Sequence, residues 1–143
     1  MKIKQTKPVP IWTPETDVKS LNYVEIYRNL AKDCFSVKGM RGQSRGRVID
    51  YLKTAYIVNA KFVVQPSGRR RVLEEKRKNV HAFVRGYEAK YEKFPGNMVE
   101  VSYNPYRYDH FYRKYDDSAI YESPYVELEF DEDGRARIWA LEK

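Results

Sequence analysis

Apolar and polar positions alternate most cleanly towards the C-terminus. There Val126, Leu128 and Phe130 interleave with Glu127 and Glu129, and Ala136, Ile138 and Ala140 with Arg135 and Arg137. Successive side chains of a strand point to opposite faces, so each run predicts a half-buried strand, and Asp133-Gly134 predicts a tight turn joining them into a β-hairpin. The outer Glu and Arg residues are expected to pair across the two strands.

A second alternating region spans residues 60–86. Phe62 and Val64 share one face of a strand over 61–65, Pro66-Ser67-Gly68 carries turn chemistry, and residues 69–74 return with Val72 and Leu73 towards the core. A third strand is predicted over 79–85, with Val80, Ala82 and Val84 facing inwards and His81, Phe83 and Arg85 left free to meet a ligand. Further strands are expected over 55–64, bent near Asn59, and over 98–103. Residues 47–54 fit either a short helix or a strand.

Near the N-terminus the spacing looks helical. Val24, Tyr27, Ala31 and Cys34, flanked by Tyr23 and Leu30 and preceded by Ser20 as an N-cap, predict one amphipathic helix over 20–37. Pro8, Pro10 and Pro14 predict an extended arm over 1–19, anchored by Trp12. The expected fold is α+β in a single domain over 1–143. It comprises the arm, the helix, a Gly/Arg-rich loop over 38–47, and antiparallel hairpins and loops over 48–143.

Composition narrows the function classes. The 143 residues are 42% hydrophobic and 33% charged, as in a globular domain with a core of its own. No apolar run approaches the roughly 20 residues that cross a bilayer, and the first residues lack the apolar centre of a leader, so a cytoplasmic protein with no membrane partner is expected. Cys34 stands alone and is expected to be a small buried side chain.

The net charge of +7 is concentrated. Between Arg41 and Lys90 there are thirteen Lys and Arg against four acids, Asp50, Glu74, Glu75 and Glu88. Such a concentration predicts an anionic partner: a nucleotide, a nucleic acid or an acidic protein surface.

Two segments add chemistry to that charge. The loop from Gly39 to Arg47 holds three Gly and three Arg, among them Arg41, and lets backbone N–H groups and guanidinium forks approach phosphate; it lacks the Gly-Lys-Ser/Thr ending of a P-loop. Seven of the thirteen tyrosines lie between Tyr103 and Tyr125, interleaved with Arg107, Arg113 and Lys114, a pattern suited to stacking on bases. His81 and His110 are the two histidines, in no metal-ligand spacing. They are compatible with metal-free acid–base chemistry on a phosphodiester, which ranks behind binding. No cofactor fingerprint is present.

The stretches Arg77-Lys78-Asn79-Val80-His81-Ala82-Phe83-Val84-Arg85-Gly86 and Val101-Ser102-Tyr103-Asn104-Pro105-Tyr106 resemble small phage-encoded proteins. Over roughly residues 40–140 the chain resembles the first family of phage anti-Thoeris proteins, oligomeric sponges that bind cyclic ADP-ribose isomers without cleaving them. That resemblance implies a host-cytoplasmic, non-enzymatic protein that sequesters a cyclic nucleotide signal, forms a homo-oligomer and needs no cofactor. It places the phosphate role on Arg69, with Arg41 as a second candidate, the stacking role on Phe94 or Phe83, and the polar role on Asn104. Arg71, His81, Arg85, Tyr106 and Arg107 complete the expected ligand-binding set. A nucleic-acid-binding or host-machinery-binding regulator is the alternative from the same basic surface.

Overall fold

The computed structural model describes residues 21–76, 78–89 and 97–142. The arm over 1–19 and Trp12 lie outside them.

Among the described residues, nine antiparallel strands form one sheet: β1 (Tyr23–Arg28), β2 (Phe35–Gly39), β3 (Val48–Leu52), β4 (Thr54–Val64), β5 (Ala82–Ala89), β6 (Asn97–Ser102), β7 (Tyr112–Arg113), β8 (Glu122–Phe130) and β9 (Ala136–Glu142), in spatial order β3-β2-β1-β5-β4-β8-β9-β6-β7. The one α-helix among the described residues, α1 (Pro66–Glu75), connects β4 to β5. The fold is therefore essentially all-β, which corrects the α+β expectation.

The largest correction concerns residues 20–37, where a hairpin replaces the amphipathic helix. Val24 and Ile26 are fully buried on one face of β1, while Tyr23, Glu25 and Tyr27 occupy the other. This period-2 pattern of β-branched and aromatic residues outweighs the sparse helical spacing of Val24, Tyr27, Ala31 and Cys34. Asn29 then turns the chain. Its Oδ1 accepts from the N–H groups of Ala31 and Lys32 at 2.8 and 2.9 Å, its own N–H donates to the Cys34 carbonyl, and β2 returns antiparallel to β1. Cys34 is a free, buried thiol, as its isolation in the sequence suggested.

A second correction falls at Pro66-Ser67-Gly68, which starts a helix instead of turning a hairpin. Pro at the first helical position loses no hydrogen bond, and the following Arg, Leu and Glu residues favour the helical state. Lys76 ends α1 in the left-handed region at φ 54°, with its N–H on the Val72 carbonyl. A Cβ on Gly68 would meet the His81 Cβ at 2.5 Å, so the helix is seated directly on the start of β5.

The bend expected near Asn59 is present as a bulge: Asn59 has φ 52° and the β4–β5 register shifts between Val58 and Lys61. Gly86 accommodates it, since a Cβ there would lie 2.4 Å from Ile57 Cγ2 and 2.8 Å from the Val58 carbonyl oxygen. The C-terminal hairpin forms as β8 and β9, with Glu129 opposite Arg137. Arg137, however, bonds Glu100 of β6 at 3.1 Å, and Glu129 accepts from the Trp139 indole at 3.1 Å.

The sheet curls around its main core, and a smaller cluster of Val58, Ala89 and Tyr125 is buried on the opposite face. Strands β2 and β8 are four steps apart, about 19 Å on a flat sheet at ~4.8 Å per strand, yet the Phe35 and Phe130 rings meet at 4.7 Å. The concave face gathers Val24, Ile26, Phe35, Val37, Ile57, Phe62, Val84, Val101, Phe111, Val126 and Leu128. The convex face of β2, β1 and β5 carries the polar residues of the same strands.

Candidate functional site

Cross-strand register builds two rows on that convex face. Lys38, Glu25 and Arg85 lie opposite one another across β2, β1 and β5, because Glu25 pairs with Lys38 on one side and with Arg85 on the other. Two residues along, Ser36 pairs with Tyr27, whose ring meets Phe83 edge-on at 6.2 Å. Above these rows the Gly-rich loop folds back: Gly46 donates its N–H to the Gly39 carbonyl at 2.8 Å, with Gly42 and Gly46 at φ 66° and 80°.

The result is a basin of about 430 Å³ lined by Lys38, Arg45 and Arg85, by Tyr27 and Phe83, and by Glu25, Met40, Gly46, Gln65 and Val80. That volume is within the range of small-ligand sites. Three cations against one acid make it an anion-attracting cavity with an aromatic floor. Glu25 is 3% exposed and holds Arg85 by an Nε–H to Oε1 bond of 2.8 Å, which fixes the guanidinium over the Phe83 ring at 5.9 Å.

The predicted site residues are thus divided. Phe83 and Arg85 do face away from the main core, but Phe83 is buried and Arg85 is engaged by Glu25, so this is a walled basin and no open strand face. His81, just before β5, is also buried, packed against Gly68 of α1. The Asn79 carbonyl can only accept, so His81 Nδ1–H donates to it at 2.9 Å and Nε2 accepts from the Tyr103 hydroxyl at 2.7 Å. Burial pushes the Tyr103 hydroxyl up to about 12, against the opposing pull of Arg69, and keeps it a donor. His81 belongs with α1 and β6, while His110 bonds Asp109 at 3.0 Å and stacks on Tyr108 at 5.0 Å. Among the described residues the two histidines share no partner.

The other expected site residues among the described ones lie outside the basin. Arg69 donates Nε–H to the Pro105 carbonyl at 3.1 Å and Asn104 Oδ1 accepts the Tyr106 N–H at 2.9 Å, so both shape the turn after β6. Arg41 bonds the Tyr87 hydroxyl at 3.1 Å and lies over the Tyr23 ring at 4.7 Å. Arg107 pairs with Asp117 at 2.7 Å. Tyr106 is exposed and lines a separate cleft with His81, Val72 and Arg28, and Arg71 is exposed on α1. Phe94 lies outside the described residues. The structure brings Phe83 and Arg85 together with Arg45 of the loop, and adds Glu25, Tyr27 and Lys38. The signal for those three was the alternation of residues 23–28 and 35–39.

No group of three or more His, Cys, Asp or Glu residues suited to a metal ion occurs among the described residues. None of their helices is long and apolar enough to cross a membrane.

No solved structure matches the chain. The gene 82 protein of Mycobacterium phage L5 is 36% identical over 96 residues, covering 62% of this chain and 75% of that protein. The family model described as Mycobacterium phage L5 gene 82 protein matches residues 17–136, which takes in the hairpin, the loop and the β5 strand of the basin, and the chain belongs to that phage protein family.

Proposed function

We propose that this phage protein binds and sequesters a compact nucleotide-class anion in the basin between β2, β1, β5 and the Gly-rich loop. It does so in the host cytoplasm and performs no chemistry on the ligand. One observation carries this reading: Lys38, Arg45 and Arg85 surround the Tyr27 and Phe83 rings in a single concave site. Arg forks and a Lys suit phosphate, and aromatic rings suit a base. The cyclic ADP-ribose-type signals implied by the resemblance to anti-Thoeris sponges fall in this class. By lowering the free signal, the protein blunts the host effector that responds to it.

Calorimetric titration with AMP, ADP-ribose and cyclic ADP-ribose tests the reading. Saturable binding is expected, with intact nucleotide recovered after heat denaturation. Lys38→Ala and Arg45→Ala should each weaken it roughly tenfold, the size of one charge-assisted hydrogen bond, and leave the circular dichroism unchanged. Recovery of a cleaved product would replace the sponge by a phosphodiesterase. Indifference to all three nucleotides, with salt-sensitive retention of generic RNA or DNA, would favour a nucleic-acid-binding regulator.

A further inference from the structure

Glu25 is the anomaly of an anion site. A carboxylate among the lining residues opposes phosphate binding, and this one is 3% exposed, so water does not screen it. Pairing with Arg85 accounts for one oxygen, Oε1. Oε2 has no hydrogen-bond partner among the described residues, and Lys38, although directly opposite in register, forms no ion pair with it. An unsatisfied buried acceptor is costly, and a donor supplied by a ligand would offset that cost.

The rows fix where such a donor would sit. The aromatic row of Tyr27 and Phe83 and the charged row of Lys38, Glu25 and Arg85 are two residues apart along the strands, about 7 Å at strand rise. A flat ring over the aromatic row brings one edge to Glu25, and its phosphate towards Lys38 and Arg45. A metal ion is a poor occupant, because three cations line the same space. Arg85 uses one lone pair of Oε1, so Oε2 is the carboxylate oxygen with no donor among the described residues. That matches a lone ring-edge amino group better than the paired donors of guanine.

Resting on the nucleotide reading above, we infer that Glu25 is the specificity-determining residue of the basin, its Oε2 accepting a hydrogen bond from the exocyclic amine of the ligand's base. The site would then select amino-bearing bases and reject isosteres lacking the donor, because rejection leaves the buried oxygen unpaired.

Two probes differing only in that amine decide the matter: AMP and purine riboside 5′-monophosphate, titrated calorimetrically into the full chain. Wild type is expected to prefer AMP by tenfold or more. Glu25→Gln can still accept from Arg85 through its amide oxygen, but it turns an NH₂ donor towards the ligand, so the preference should fall below twofold with the fold intact by circular dichroism. Lys38→Ala should weaken both probes alike and preserve the ratio. Equal wild-type affinities, or a tenfold preference surviving in Glu25→Gln, would overturn the role of Glu25 alone. If neither probe binds wild type, the basin reading fails and this inference falls with it.

Discussion

The two faces of the β1–β5 strand pair are built from adjacent residues and do opposite work. Ile26 and Val84 pair on the concave face, fully or almost fully buried among apolar side chains. One residue earlier on β1 and one later on β5, Glu25 and Arg85 pair on the convex face and close the wall of a charged basin. The concave side also leaves a pocket of about 250 Å³, lined by Ile26, Phe35, Val84, Phe111, Leu128 and Ile138 among others. The convex one is larger and polar. A single-residue slip in register would exchange the two faces, so the core that sets the register also sets the geometry of the site.

Substitutions should separate these roles. Ile26→Ala carries the largest effect: removing a fully buried side chain should cost about 2–5 kcal/mol in urea denaturation, while the folded fraction keeps its nucleotide affinity. A matching loss of affinity would mean that the faces are coupled. Arg85→Ala should cost about 1–3 kcal/mol, because it leaves the buried Glu25 carboxylate without its partner; it should also abolish anion binding. Glu25→Ala combined with Arg85→Ala should recover part of that stability without recovering binding, a double-mutant cycle that isolates the pair. The smallest effect is expected at Glu127, on the convex face of β8, where burial and the nearby Glu129 hold the carboxyl above its ordinary range. The folded state then binds that proton more tightly than the unfolded chain, so stability is lost as pH rises from the ordinary carboxyl value through the raised one. Glu127→Gln should therefore melt above wild type at pH 7, without affecting ligand binding, and the difference should vanish near pH 3.

Period-2 patterning made the hairpin of β8 and β9 readable, together with the strand expected over 98–103, which forms as β6 (Asn97–Ser102). It was equally present in Tyr23-Val24-Glu25-Ile26-Tyr27. There a few apolar residues at helical spacing competed with it, because Leu30, Ala31 and Cys34 belong to a turn and a strand start that sequence spacing cannot distinguish from a helix face. Pro66-Ser67-Gly68 was ambiguous for a different reason, since Pro opens turns and helices alike. Of the site, Phe83, Arg85 and the loop arginines were legible as chemistry. Their assembly was not, because Glu25, Tyr27 and Lys38 join them only through cross-strand register. Arg69, Arg107 and Asn104 looked free in the sequence, yet each is used by a nearby carbonyl, carboxylate or backbone N–H.

The central claim, that the basin on the convex face of β2, β1 and β5 binds a nucleotide while the concave core sets its register, is tested most directly by nuclear magnetic resonance. The measurement is a titration of AMP into the labelled protein, following side-chain signals. Saturable shifts are expected for the Tyr27 and Phe83 rings and the Arg85 Nε–H, with the methyl groups of Ile26, Val84 and Ile138 left in place. Shifts confined to those methyl groups, or no saturable shift on the convex face, would contradict the account.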